Sequence, residues 1–285
     1  MSAESVSILA GGGASLAVSV CQPSATPRAL LVVAPATGVV RQFYHRFLSA
    51  MADRGYLGLS LDYRGIGGSR PAALRGYRAS MRDWATLDLG GLLDWSRTAF
   101  PDLPLVIAGH SFGGQAIGLV AERRPPAAVV LIGAQSGYYG HWPTPRRQVF
   151  RALHAGLIPV LTAAFGYFPS GLIGMGESLP AGVAREWARW CQTPSYLSTF
   201  DGHRSLGVPL LSITASDDSY APRKAVDALL AEYAAASLTK WWVEPKALGA
   251  ASIGHFGYFR PGIARPLWAE IGDWLDAAIG APNSK

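Results

Sequence analysis

Residues 105–114 read LVIAGHSFGG, and the fold is decided there. Leu105 to Ala108 form a short apolar run of the kind that makes a buried strand, and Gln115 to Glu122 (QAIGLVAE) read as a buried helix. Between them stands G-x-S-x-G: Gly109-His110-Ser111-Phe112-Gly113. A serine on so sharp a strand-to-helix turn adopts strained backbone geometry. The residues two before and two after it must be small for the chains to pass. Such a turn lifts Oγ above the sheet, and the helix start beside it offers a backbone N–H and positive potential to an oxyanion. The pattern alone is a weak signal; its place between strand and helix makes Ser111 a candidate nucleophile.

Outward from this turn the chain alternates strand and helix. Residues 5–9 and 15–21 flank Gly11-Gly12-Gly13 and predict an antiparallel hairpin. No lysine or helix follows those glycines, which excludes a phosphate loop. LLVVA (30–34) predicts a buried strand leading into Pro35-Ala36-Thr37-Gly38, then a helix carrying Phe43, Phe47, Leu48 and Met51 and ending near Gly55. YLGLSLDY (56–63) predicts the next strand, closed by the turn Arg64 to Ser69, in which Tyr63 and Arg64 are expected to be structural. Trp84, Leu87, Gly91, Leu92 and Trp95 share one face of a helix over about 80–98. After a strand at 127–133 the rhythm breaks, and it resumes with PLLSITA (209–215), a helix over about 222–236, LTKWWVE (238–244) and a closing helix from Pro266 to about Ile279. Repeated strand–helix units with buried runs imply an α/β architecture: a mostly parallel sheet covered by helices on both faces, with the hairpin as an antiparallel edge.

Residues 136–205 are rich in aromatics separated by glycine and proline, and seventy residues cannot be a plain loop in a compact domain. They predict an inserted, mainly helical cap, dividing the chain into core (1–135), cap (136–205) and core (206–285). Tyr138, Tyr139, Trp142, Phe165 and Trp187 are candidates to line an apolar substrate pocket beneath it.

Composition narrows the function. The net charge is +6, carried mostly by arginine and spread without a long basic run, so no nucleic-acid partner is expected. Cys21 and Cys191 lie far apart, with neither disulfide nor zinc spacing, and read as buried thiols. The first residues, MSAESVSILAGGG, have no basic region and no long apolar stretch, so no signal peptide is read. The most apolar window, GLIPVLTAAFGYF (156–168), is too short for a membrane span and contains Pro159. A cytoplasmic location is expected. No metal and no organic cofactor are expected either, and the oligomeric state is open.

A serine nucleophile needs a base, and the base an orienting acid. In a strand–elbow–helix architecture they follow in the order serine, acid, histidine. Of six histidines, His45 precedes the serine, His110 adjoins it, and His141, His154 and His203 lie before the late strands that could carry the acid. His255, in IGHFGYF, remains. The acid belongs past the SITA strand, where Asp217 and Asp218 adjoin; Asp218, four residues before Pro222, is preferred, and Asp201 is a distant third. Two backbone donors are needed for the oxyanion. One is the N–H of Phe112; the other is Ala36 or Thr37, with Ala36 placed first, since Pro35 has no N–H.

AGHSFGG, LDYRGIGGS, ASDDSYAP and IGHFGYF together resemble the α/β-hydrolases over nearly the whole chain. The PATG and GHFGYF pair is most similar to a bacterial subgroup of serine hydrolases with that fold. Many members carry His-Gly where this chain has Pro35-Ala36-Thr37-Gly38. The resemblance implies a Ser111–Asp218–His255 triad and an acyl-enzyme path. Serine at 111 argues against the dehalogenases and epoxide hydrolases of this fold, which use an aspartate. The expected reaction is cleavage of a small-molecule carboxylic ester, lactone or macrocyclic ester. The alternatives are an aminopeptidase, which would need Glu177, Glu186 or Asp201 near the pocket, an acyltransferase or C–C hydrolase on the same triad, or a non-catalytic small-molecule receptor.

Overall fold

The protein is described by a computed structural model covering residues 3–120 and 122–280. The opening strands β1 (Glu4–Leu9) and β2 (Ser15–Cys21) form the expected hairpin, pairing Glu4 with Val20 through Leu9 with Ser15. There follow β3 (Ala29–Ala34), α1 (His45–Ala52), β4 (Tyr56–Leu61), α2 (Met81–Asp83), α3 (Gly90–Ala99), β5 (Leu105–His110), α4 (Phe112–Ala116) and β6 (Ala128–Ile132). Next come α5 (Arg146–Ala152), α6 (Ile158–Phe165), a two-strand ribbon of β7 (Tyr167–Phe168) and β8 (Leu179–Pro180), α7 (Ala181–Gln192) and α8 (Gly202–Ser205). The chain returns with β9 (Pro209–Ala215), α9 (Arg223–Leu230), β10 (Ser237–Val243) and α10 (Pro261–Ala278).

The main sheet has eight strands in the order β1-β2-β4-β3-β5-β6-β9-β10. Both pairings of β2 are antiparallel and the other five are parallel. Strand periodicity explains its two packed faces. Leu30, Val32, Leu105, Ile107, Val129 and Leu131 point to one face, where α3, α4 and α9 pack. Leu31, Val33, Val106, Ala108, Val130 and Ile132 point to the other, under α1 and α10.

Several helix ends differ from the sequence reading. The turn of helix after Ser111 runs from Phe112 to Ala116, tightens into a 3₁₀ turn and stops at Leu119, with Val120 already at φ −140°. Glu122 is an exposed turn residue, and Ala121 lies outside the described residues. The closing helix starts at Pro261 rather than Pro266, which stands inside it. Two prolines compete for the first-turn position that suits proline, and the earlier one takes it. The helix after β9 ends at Leu230, six residues short of the reading. The 80–98 helix is one helical run from Met81 to Ala99, made of α2, a π turn and α3. Ser80 starts it with a reciprocal capping box to Asp83.

Candidate active site

The site is assembled where β5 gives way to α4. Ser111 sits at φ 52°, ψ −116°, and is the one non-glycine residue at positive φ among the described residues. That conformation costs on the order of 1–3 kcal/mol and persists because its surroundings over-determine it. The neighbour two residues on shows how. A Cβ on Gly113 would be driven into the Ala34 carbonyl oxygen, so β3 and α4 close up only around glycine. The N–H of Ser111 is held by Ile132 O at 3.1 Å, and Tyr233 Oη donates to Gly114 O at 2.7 Å.

The structure brings His255 and Asp218 to this turn. Imidazole Nδ1 lies 2.8 Å from Asp218 Oδ2 and 3.1 Å from Oδ1. The carboxylate is fully engaged: it also accepts from Tyr258 Oη at 2.9 Å and from the N–H groups of Tyr220 at 2.9 Å and Ala221 at 3.2 Å. An acceptor-only partner at Nδ1 places the proton there and leaves Nε2 with a lone pair. Asp217 points the other way. It accepts from Ser252 Oγ at 2.7 Å and from the N–H groups of Ile253 at 2.9 Å and Gly254 at 3.1 Å, so it ties down the loop that carries His255. Burial pushes the Asp217 carboxyl up, but these donors together outweigh it and hold its pKa below the usual value.

His110 and Tyr44 form a second layer. His110 Nε2 is 3.0 Å from His255 O, which can only accept, so Nε2 carries the proton. Nδ1 therefore accepts from Tyr44 Oη at 3.0 Å, and Tyr44 Oη in turn accepts the Ala36 N–H at 2.9 Å. Burial, with His255 nearby, drops the His110 pKa well below the ordinary imidazole value and keeps the ring neutral. One chain of bonds thus joins the loop after β3, the residue before Ser111 and the backbone of His255. It also commits the Ala36 N–H. Among the described residues, the N–H groups of Thr37 and Phe112 have no partner.

Ser111, His255, Phe112, Ala36 and Thr37 line one cavity of about 150 Å³. Val39, Gln115, Gln135, Gly174 to Gly176, Trp187, Tyr220 and Phe256 complete most of its wall. Among the described residues no hydrogen bond reaches Ser111 Oγ, so hydroxyl and imidazole share the cavity without a formed bond, as is common before substrate enters. Of the five aromatic candidates only Trp187 reaches the wall. Trp142 is buried, donates to Ser219 O at 2.9 Å and borders a separate depression on the far side of Asp218. Tyr138 and Tyr139 pack on each other, and Phe165 faces outward on α6. Spacing along the chain does not tell which aromatic of an irregular segment turns inward. The two glutamines and Met175 were missed because no period marks them. Gln115 Nε2 donates to Gln135 O at 2.7 Å and its Oε1 accepts from Tyr196 Oη at 2.8 Å. Gln135 Oε1 is buried without a partner.

The side chains of the LDYRG turn are engaged inside the fold. Asp62 is fully buried, accepts from the Arg41 N–H at 2.7 Å and from Gly68 N–H at 2.8 Å, and pairs with the Arg41 guanidinium. Tyr63 stacks on Trp84 with centroids 4.9 Å apart, and Arg64 pairs with Asp88 at 2.6 Å.

A parallel sheet bearing a strained serine at this turn defines the α/β-hydrolase class. Residues 25–180, more than half of the chain, match the Hydrolase_4 family, described as serine aminopeptidase S33, and the chain belongs to that family. A monoacylglycerol lipase of Mycolicibacterium smegmatis is 28% identical over 204 residues, 61% of this chain and 71% of that protein. A soluble variant of monoglyceride lipase from Saccharomyces cerevisiae, solved with a substrate analogue, superimposes with a TM-score of 0.71 at 11% identity, over 99% of this chain and 96% of that one. A thermostable carboxyl esterase from Bacillus coagulans, solved with glycerol, gives 0.69 at 13% identity, over 98% of this chain and 100% of that one. At these identities the two structures share a fold with this chain.

Proposed function

We propose that this protein is a serine hydrolase that cleaves a carboxylic ester, open-chain or lactone, of an apolar small molecule through an acyl-enzyme. The observation that carries the reading is the strained Ser111 opening into a cavity it shares with His255, whose Nδ1 is held by Asp218 at 2.8 Å. In this reading Ser111 Oγ attacks the ester carbonyl as His255 Nε2 takes its proton. The N–H groups of Phe112 and Thr37 receive the oxyanion, because the Ala36 N–H is already spent on Tyr44. The imidazolium gives its proton to the leaving alcohol, and water repeats the sequence to free the acid. Residues 136–205 act as the cap, contributing Trp187 and the Gly174–Gly176 strip to the wall.

Similarity to a monoacylglycerol lipase supports an ester as substrate. The family's description raises a second reading, an aminopeptidase. A free α-amine would need a carboxylate at the wall, and among the described residues none lines the cavity. Glu177 is turned to the Gly67 N–H at 2.9 Å and Glu186 to the Arg82 N–H at 3.0 Å. The ester reading therefore stands first.

The test is hydrolysis of p-nitrophenyl esters of increasing chain length by the wild type and by Ser111→Ala. Serine-dependent turnover of esters, with amino-acid p-nitroanilides left intact, is the expected result. Turnover that survives in Ser111→Ala, or p-nitroanilides cleaved in preference to esters, overturns it.

A further inference from the structure

The outer face of the segment between β6 and β9 is too apolar to be left to water. Arg146–Phe165 form a helical run of 20 residues, whose most apolar stretch has a mean hydropathy of 1.3 yet is only 17% buried. Val149 and Val160 are exposed by more than 60%, and Leu172, just beyond the run, by 76%. Leu157, Phe165 and Ile173 are exposed too. So many exposed apolar side chains on one helical run and the loop that follows it mark a place where something docks. The run is not free to leave the body and span a bilayer, because His154, Ile158 and Thr162 bury its inner side. It can only lie against what it meets.

Charge says what that is. Between Glu122 and Glu177 the chain has no acidic residue. Arg146, Arg147 and Arg151 are exposed at the start of the run, and among the described residues none of them has an ion-pair partner. Unpaired guanidinium groups beside an apolar helix face match a surface that is negative at its rim and hydrocarbon beneath, as a layer of anionic lipid is. A second copy of this chain would set the same arginines against each other or against bare apolar side chains. Leu172 and Ile173 also lead directly into Gly174, Met175 and Gly176, which line the cavity that holds Ser111. The apolar tip and the cavity wall are consecutive residues of one loop.

We infer that this face docks on anionic lipid surfaces and that the cavity is filled from them through the 172–176 loop. The docking stands on the surface itself; the filling rests on the ester-hydrolase reading above.

The test uses the full chain, sedimented with vesicles of equal parts phosphatidylglycerol and phosphatidylcholine and, separately, of phosphatidylcholine alone. Binding to the anionic vesicles is expected to exceed binding to the neutral ones by at least about tenfold and to weaken as salt is raised. Val160→Asp with Leu172→Asp, and Arg146→Gln with Arg147→Gln and Arg151→Gln, should each cut it by about tenfold. Both variants should hydrolyse a soluble short-chain ester as the wild type does, while losing activity on a long-chain ester presented in anionic vesicles. Equal binding to both kinds of vesicle, binding untouched by either variant, or a dimer in solution that Val160→Asp dissociates would overturn the docking. Salt-sensitive vesicle binding without turnover of any ester would remove the hydrolase reading and leave the docking surface in place.

Discussion

In the proposed reaction Ser111, at φ 52°, is the nucleophile, and its backbone strain is independent of its hydroxyl. Ser111→Ala keeps the backbone conformation and loses the nucleophile. We expect kcat for ester hydrolysis to fall by at least about 10⁴-fold with no loss of thermal stability, read by steady-state kinetics and calorimetry. Adjacent aspartates should separate sharply. Asp218→Asn frees the imidazole to take the wrong tautomer and should cost about 10⁴-fold in kcat. Asp217→Asn loosens the loop at Ser252 to Gly254 and should cost no more than about tenfold; a larger loss there than at Asp218 would reverse the assignment. Tyr44→Phe removes the acceptor of the Ala36 N–H and the donor to His110. Its effect should appear in kcat more than in KM, together with a stability loss of about 1–3 kcal/mol in urea titration. The identity of Ser111, Asp218 and His255 as candidates was legible because order along the chain mirrors order along the sheet. The choice between Ala36 and Thr37 was not. In the proposed reading it rests on a tyrosine hydroxyl eight residues away that claims one N–H and leaves the next, and no local pattern records that.

At the scale of elements, the strands were legible because alternation assigns each residue to one of two packed faces, as Leu30 and Val32 against Leu31 and Val33 show. Helix ends were less so, since they depend on what the last turn meets. The turn after Ser111 stops at Leu119, although the apolar pattern continues beyond it. The joint between β3 and α4 leaves no room for a side chain at Gly113. Gly113→Ala should destabilise the protein by at least about 3 kcal/mol or prevent folding, because the new methyl meets backbone rather than a side chain that can rotate away. Equilibrium unfolding of that variant beside Gly156→Ala, whose Cβ would meet nothing within 4 Å, separates steric cost from the general effect of replacing glycine.

For the molecule as a whole, the segment between β6 and β9 buries two histidines, His154 within itself and His203 against the core, and this gives stability a pH dependence. Burial lowers His154 and His203 to about 4, only partly offset by their bonds to Phe150 O and Gln115 O. The unfolded chain takes up protons near 6.5, before the folded one does, so stability is full above that pH and falls as pH drops towards 4. Urea midpoints measured between pH 7 and 4 should show this fall, and His203→Phe, which keeps an aromatic ring beside Tyr233, should make it shallower. The aromatic, glycine-broken composition revealed that this segment is helical; which of its side chains would grip the core was not visible, because Tyr196 and His203 both close on Gln115, some eighty residues earlier. That single glutamine, four positions after the serine, has a consequence for anyone who would retailor this protein. A foreign segment grafted in place of residues 136–205 leaves Gln115 Oε1 without its donor unless it brings a hydroxyl where Tyr196 stands, and leaves the backbone O of Gln115 open unless it brings a donor where His203 stands. New specificities are thus more readily obtained by recolouring the existing wall at Trp187 or Met175 than by transplanting the roof.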